Sequence, residues 1–97
     1  MDEMLKTPPN NAEAERAVLG SILLDTTSRS EDRVMDLCLT GGIVPETFYD
    51  SRNRTIYQAM LKLNQHGKPL DALVLIEALR TEGSLDAIGG IGYIQAL

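Results

Sequence analysis

Tryptophan is absent, aromatic residues make up 4% of the chain, and there is one cysteine and one histidine in 97 residues. Any core is therefore aliphatic, drawn from Leu, Ile, Val, Ala and four methionines. The lone Cys38 excludes an internal disulfide and fits a reducing compartment. Burial as a small hydrophobe is the expected fate of its thiol. No apolar run approaches the roughly 20 residues of a membrane span, and no signal peptide precedes Asn10, so the expected location is cytoplasmic. Positive charge is scarce: nine Lys and Arg against fourteen Asp and Glu leave a net charge of −5. That balance disfavours an autonomous binder of duplex DNA, whose nonspecific affinity comes from neutralising phosphates. Strand alternation is missing too, and the β-branched Val74 and Ile76 sit inside helical periods. No phosphate-cradling glycine loop, zinc-spaced Cys/His set or G-x-S-x-G elbow occurs. Hence no catalytic, cofactor-binding or metal-ligating residues are expected in this chain.

What is present is helical punctuation. Hydrophobic residues make up 43% of the chain, which suffices for one small core. The expected architecture is all-α, a compact bundle of four to five short helices in a single domain. Met1 to Pro9 (1–9) is polar, ends in two prolines and reads as a flexible N-terminal arm; the helical domain occupies 10–97. Asn10, with Glu13 three residues on, predicts a capping box. The helix behind it carries Ala14, Ala17, Val18, Ser21 and Ile22 on one face, widened by Leu19, Leu23 and Leu24. Gly20 and Ser21 are poor helix formers and predict another helix crossing closely there. Ser30 is the expected cap of a second helix, with Glu31 and Asp32 in its first turn, Val34, Leu37 and Cys38 inward, and Gly41-Gly42 at its end. Pro45 suits the first turn of a short segment, after which Phe48 should anchor the core and Tyr49 lie half-exposed.

The central stretch runs from Arg52 to Asp71. Ser51 is a candidate N-cap, and Ile56, Ala59, Met60 and Leu63 form one apolar stripe. Gly67 can take the left-handed conformation that closes a helix, and Pro69 prevents resumption. Asp71 then caps ALVLIEALRTEG, which ends on Gly83 by the same device. Beyond it lie at most one helical turn, the Gly89-Gly90 pair and the start of a last helix carrying Tyr93, Ile94 and Leu97. That helix is cut in mid-pattern, as expected of a fragment of a longer protein.

The nearest approach to a site is the basic group Arg52, Arg54, Lys62 and Lys68, for which solvated surface charge is the plain reading. Glu13 and Glu15 fall on different helix faces and are not a carboxylate pair. His66 sits where a cation interacts favourably with a helix end. The tight GKPLD corner invites a helix-turn-helix reading, but its second helix has Arg80 as its only base and lacks the groove chemistry.

Several short motifs, in order and at the right spacing, resemble the N-terminal domain of DnaB-like replicative DNA helicases. They are Asn11-Ala-Glu-Ala-Glu15 with Val18-Leu-Gly20 and Leu24-Asp25, then Phe48-Tyr49, then Arg54-x-Ile56-Tyr57-x-Ala59-Met60-x-x-Leu63. Gly67-x-Pro69-Leu70-Asp71, Leu75, Leu79, Gly83-x-Leu85, Gly89-Gly90 and Tyr93-Ile94 complete the set, which covers about Pro8 to Leu97. Two departures are an insertion around Thr26 to Val44 and Val74 where the family often has Thr.

The resemblance implies the collar domain of a ring-shaped hexamer that docks the primase C-terminal domain, and a helicase loader, during DNA replication. It implies a parent enzyme that unwinds DNA with ATP and Mg, and grips single-stranded DNA, through a C-terminal RecA-like domain missing here. The family's helical hairpin is missing as well, so this chain should neither hydrolyse ATP nor unwind DNA, and should be a monomer or weak dimer. The expected partner-binding residues are Tyr93, which the resemblance places near the hairpin junction, then Arg52 and Arg54. The competing readings are a free-standing helical adaptor or primase-type helicase-binding domain, and a small enzyme.

Overall fold

The structure, a computed structural model of the chain, describes residues 11–25 and 33–97. The expected arm at 1–9, the Asn10 cap and the Ser30-Glu31-Asp32 helix start lie outside the described residues. Among the described residues there are five α-helices, one 3-10 turn and no strand. The helices are α1 (Ala12–Leu24), α2 (Val34–Thr40), α3 (Ser51–Gln65), α4 (Ala72–Thr81) and α5 (Gly90–Gln95), with the 3-10 turn at Pro45–Thr47. The all-α expectation holds. No helix is long and apolar enough to cross a membrane.

The cap of α1 is Asn11, not Asn10: its side chain accepts the Ala14 N–H at 3.1 Å. The buried face of α1 also differs from expectation. Leu19, Gly20 and Ile22 are buried, with Glu15 in register four and seven residues before Leu19 and Ile22, whereas Ala14, Ala17 and Ser21 are exposed and Leu24 is 80% exposed. Helical spacing alone puts Ala14, Ala17 and Ser21 on the inner face, yet the larger aliphatic side chains gain more by burial and decide the rotation of the helix. The Ser21 hydroxyl donates back to the Ala17 carbonyl at 2.8 Å and needs no core partner.

Asp25, at the end of α1, reaches the start of α2: its Oδ2 accepts the Val34 N–H at 2.6 Å. In α2 the inward residues are Met35 and Cys38; Leu37, expected inside, is 57% exposed. Pro45 opens the 3-10 turn as expected, and it delivers Phe48 to the core while Tyr49 stays 60% exposed. Phe48 meets the Tyr57 ring at 4.9 Å between centroids.

The corner between α3 and α4 is built as the sequence indicates. Gly67 has φ 67°, a conformation costly for residues with a Cβ, and the Gly67 and Lys68 N–H groups close on the Asn64 and Leu63 carbonyls at 3.1 and 2.9 Å. That bond pair is a Schellman closure. Asp71 caps α4 by accepting the Val74 N–H at 2.9 Å. The Ser84 N–H closes α4 onto the Leu79 carbonyl in the same way. The stripe Ile56, Ala59, Met60 and Leu63 is buried throughout. α3 packs against α1, α4 and the 3-10 turn, α4 against α5, and α1 against α2.

One close approach is not the expected one. A Cβ on Gly20 would lie 2.9 Å from the Leu97 carbonyl carbon, so the small residue admits the backbone at Leu97, beyond the end of α5, rather than a crossing helix.

Candidate functional site

The N-terminal ends of α1 and α3 meet α5 at a polar cluster that organises the sequence-predicted residues. It starts at Asp50, the N-cap of α3 in place of Ser51, which accepts the Arg52 N–H at 2.9 Å. The same carboxylate takes the Arg52 guanidinium in a two-pronged pair, Nε to Oδ1 at 3.1 Å and Nη2 to Oδ2 at 2.7 Å. The planar fork of arginine suits this geometry. The Arg52 side chain, by hydrogen bonding first, holds the Asp50 carboxyl below its ordinary range, and the Arg52 pKa is raised in turn by Asp50 and then by Tyr93.

Glu15 supplies the second carboxylate. Its Oε2 accepts the Tyr49 N–H at 2.5 Å and its Oε1 the Asp50 N–H at 3.2 Å, so it caps the approach to α3 from another helix. Oε1 also accepts from the Asn53 Nδ2 at 2.8 Å. A carboxylate beside a helix N-terminus lies where the peptide dipoles favour negative charge. Asn53 is 0% exposed, and the Glu15 contact fixes its amide: the carboxylate only accepts, so Nδ2 faces it and Oδ1 faces away. There Oδ1 accepts the Tyr93 hydroxyl at 2.5 Å. Above the Tyr93 ring lies the Arg52 guanidinium, 4.5 Å from its centroid, within reach of a cation–π interaction.

Arg54 completes the clamp from the other side. Its Nε and Nη2 donate to the Phe48 carbonyl at 3.3 and 3.1 Å, and Nη2 also to the Tyr49 carbonyl at 3.2 Å. The Tyr49 and Asp50 amides are thus held by α1, and the carbonyls of residues 48–50 by Arg54 of α3. A cleft of about 510 Å³ opens beside them, lined by Ala12, Glu15, Tyr49, Asp50, Ser51 and Arg54.

The structure therefore brings Arg52 and Tyr93 together and gives Arg54 an internal job. Tyr93 is half-buried and hydrogen-bonded. Lys62, from the same basic group, lies 3.7 Å from Glu82. His66 stays at the end of α3, its Nδ1 2.8 Å from the Lys62 carbonyl. Sequence reasoning missed Glu15, Asn53 and Asp50. The available signal was register: Asn53 stands three residues before Ile56 on the apolar stripe, and Glu15 stands in line with Leu19 and Ile22. A polar side chain on a buried stripe must find a partner.

A second buried polar group supports the loop from below. The Tyr57 hydroxyl donates to the Ile43 carbonyl at 2.7 Å, and burial pushes the phenol up to about 12. The Cys38 thiol is likewise pushed up by burial, which leaves it a packing residue. Among the described residues no group of three metal-ligating side chains occurs.

Comparison with known proteins gives a consistent picture. The DnaB-like helicase N terminal domain family matches residues 7–97. The chain is 40% identical over 92 residues to the replicative DNA helicase DnaB of Treponema pallidum, covering 95% of this chain and 19% of that protein. It is 44% identical over 92 residues to the replicative DNA helicase DnaB of Nostoc, covering 95% of this chain and 10% of that one. The chain thus spans a fifth or less of these relatives' length. The crystal structure of the N-terminal domain of DnaB helicase from Mycobacterium tuberculosis superimposes with a TM-score of 0.77 at 30% identity, over 93% of this chain and 60% of that one.

Proposed function

The chain belongs to the family of DnaB-like helicase N-terminal domains, and from that premise we propose that it is the collar portion of a ring-shaped replicative helicase. In this reading it serves hexamer assembly and docks the C-terminal domain of primase, with a helicase loader as a further partner. ATP, Mg and single-stranded DNA are handled elsewhere in the parent protein, because this chain has no glycine loop to cradle phosphates. The compartment is the cytoplasm, where replication proceeds. Acting alone, the chain is a monomer or weak dimer, checked by sedimentation at micromolar concentration; a stable hexamer contradicts this.

The observation that carries the reading is the family match across residues 7–97. One feature of the geometry supports it. Arg52, stacked on Tyr93, forms a surface of a kind common at interface hot spots, where Arg and Tyr are over-represented. Arg54 belongs to the site through the loop whose carbonyls it holds. Calorimetric titration of this chain with a primase C-terminal domain tests the proposal. Saturable binding is expected, weakened about fivefold or more by Arg52→Ala with little change in thermal midpoint. Absence of binding by the unaltered chain refutes primase docking and favours a free-standing adaptor. A nucleotide-binding loop encoded in the same reading frame beyond Leu97 distinguishes the two at the gene level.

A further inference from the structure

The Tyr93–Arg52 stack is not held by its own contact alone. The Tyr93 ring could rotate about its side-chain bonds, and Arg52 has a long, mobile stem. What pins the ring is its hydroxyl, which donates to Asn53 Oδ1 at 2.5 Å. Asn53 in turn has no freedom to turn its amide, because Glu15 takes Nδ2 at 2.8 Å and the side chain is fully buried. The Glu15 carboxylate is itself anchored by the Tyr49 and Asp50 amides. The chain of fixed orientations therefore runs from the loop at 49–50, through Glu15 and Asn53, to the ring of Tyr93 on α5. Arg52 closes the circuit, since Asp50 holds its fork at 2.7 and 3.1 Å while its plane lies over the ring.

We propose that Asn53 is a positioning residue that sets the Tyr93 ring as the platform on which Arg52 presents its remaining donors to the docked partner. The inference rests on the docking role above for the partner's identity but not for the positioning itself. Asn53 never touches the partner, being fully buried. Two of the five guanidinium N–H groups are spent on Asp50. The remaining N–H groups, held in plane by ring and carboxylate, suit an acceptor such as a carbonyl or carboxylate on the partner's surface.

The test reads the stack directly. In the NMR spectrum of the intact chain, the Arg52 Nε–H signal is expected upfield of its position in Tyr93→Leu, because the guanidinium lies over the Tyr93 ring while the Asp50 hydrogen bond is common to both chains. Tyr93→Phe keeps the ring and deletes only the hydroxyl, and it should return that signal to the position seen in Tyr93→Leu, where no ring exists. Asn53→Ala should do the same. If Asn53→Ala fails to fold, Tyr93→Phe decides alone. A signal that stays upfield in Tyr93→Phe overturns the proposal, as does one in the unaltered chain that coincides with Tyr93→Leu. A purely structural role for Asn53 would lower stability without moving the Arg52 signal in Tyr93→Phe. Affinity for a primase C-terminal domain should fall about threefold in Tyr93→Phe. An unchanged affinity beside a lost shift overturns the link between stack and partner. If the unaltered chain does not bind primase at all, the docking role falls while the Arg52 signal still decides the positioning.

Discussion

Removing the Glu15 side chain is the sharpest perturbation of this fold that deletes no core hydrophobe. Glu15→Ala withdraws the acceptor from three donors: the Tyr49 N–H, the Asp50 N–H and the Asn53 amide. The three losses are unequal. The Tyr49 N–H lies at the surface and finds water at almost no cost. The half-buried Asp50 N–H loses a hydrogen bond worth about 1 kcal/mol. Asn53 Nδ2, in a fully buried side chain, becomes an unsatisfied donor costing about 1–3 kcal/mol. Alanine returns a few tenths of a kcal/mol in helix propensity. The net expectation is a loss of about 2–3 kcal/mol. That is a large share of the roughly 5–15 kcal/mol that holds an ordinary domain together, and for a chain of this size it corresponds to a fall in thermal midpoint of roughly 10–20 °C. Urea unfolding followed by circular dichroism measures it, with Glu13→Ala as control. Glu13 is exposed in the first turn of α1, so its loss costs at most about 0.5 kcal/mol of dipole interaction. If the two variants agree within about 0.5 kcal/mol, Glu15 is not the anchor of this cluster.

Three further outcomes are expected. Gly20→Ala should destabilise the chain, because the new Cβ lies 2.9 Å from the Leu97 carbonyl carbon; a gain of about 1 kcal/mol, as for an uncrowded helix position, would show that Leu97 yields freely. Tyr57→Phe leaves the Ile43 carbonyl without its 2.7 Å donor and should cost about 1–2 kcal/mol in urea unfolding. The phenol's folded pKa of about 12 exceeds its ordinary 10, so its stabilising contribution is whole below pH 10 and is lost as pH rises towards 12; helix content followed through an alkaline titration should fall in that window, less steeply in Tyr57→Phe. The Cys38 thiol, buried and raised in pKa, should react with a thiol reagent only on unfolding, and rapid labelling of the native chain would contradict that burial.

Local chemistry made much of this fold legible. The stop at Gly67, the cap at Asp71, the aliphatic stripe of α3 and the fates of Phe48 and Tyr49 all depend on residues a few positions apart. The readings that failed have two causes: neighbouring residues equally suited to one role, and partners distant in sequence. Ser51 and Asp50 are both good N-caps, and Arg52 held by Asp50 settles the choice in favour of Asp50. The rotation of α1 is not legible locally, because Glu15 looks like a surface residue until the amides of residues 49 and 50 are brought beside it, thirty-four and thirty-five positions later. Periodicity allows Leu37 or Met35 inward but not both, since residues two apart lie about 200° round a helix; burial of Met35 and Cys38 turns Leu37 to solvent. Position and resemblance point to Arg52, Arg54 and Tyr93, but not to Asn53, which lies forty positions before Tyr93 in sequence and links it to Glu15.

Register, more than stability, accounts for a polar cluster at this end of an otherwise aliphatic core. Aliphatic side chains of similar volume tolerate repacking, so Leu19, Ile22, Ile56, Met60 and Leu75 leave the rotation of α1 on α3 weakly specified. Only one rotation puts residue 15 against the amides of Tyr49 and Asp50 while its Oε1 reaches Asn53. Buried polar groups replaced by apolar ones often cost little stability while the unique arrangement is what suffers. The combined variant Glu15→Leu, Asn53→Leu, Tyr93→Phe removes the buried polar groups together, so that no buried side-chain donor is stranded. Its expected unfolding free energy lies within about 1 kcal/mol of the original, with broadened or doubled NMR signals from α1 and α5. Sharp, singly populated signals at unchanged stability would show that aliphatic packing alone fixes the register; a loss as large as that of Glu15→Ala would show that the cluster contributes stability directly.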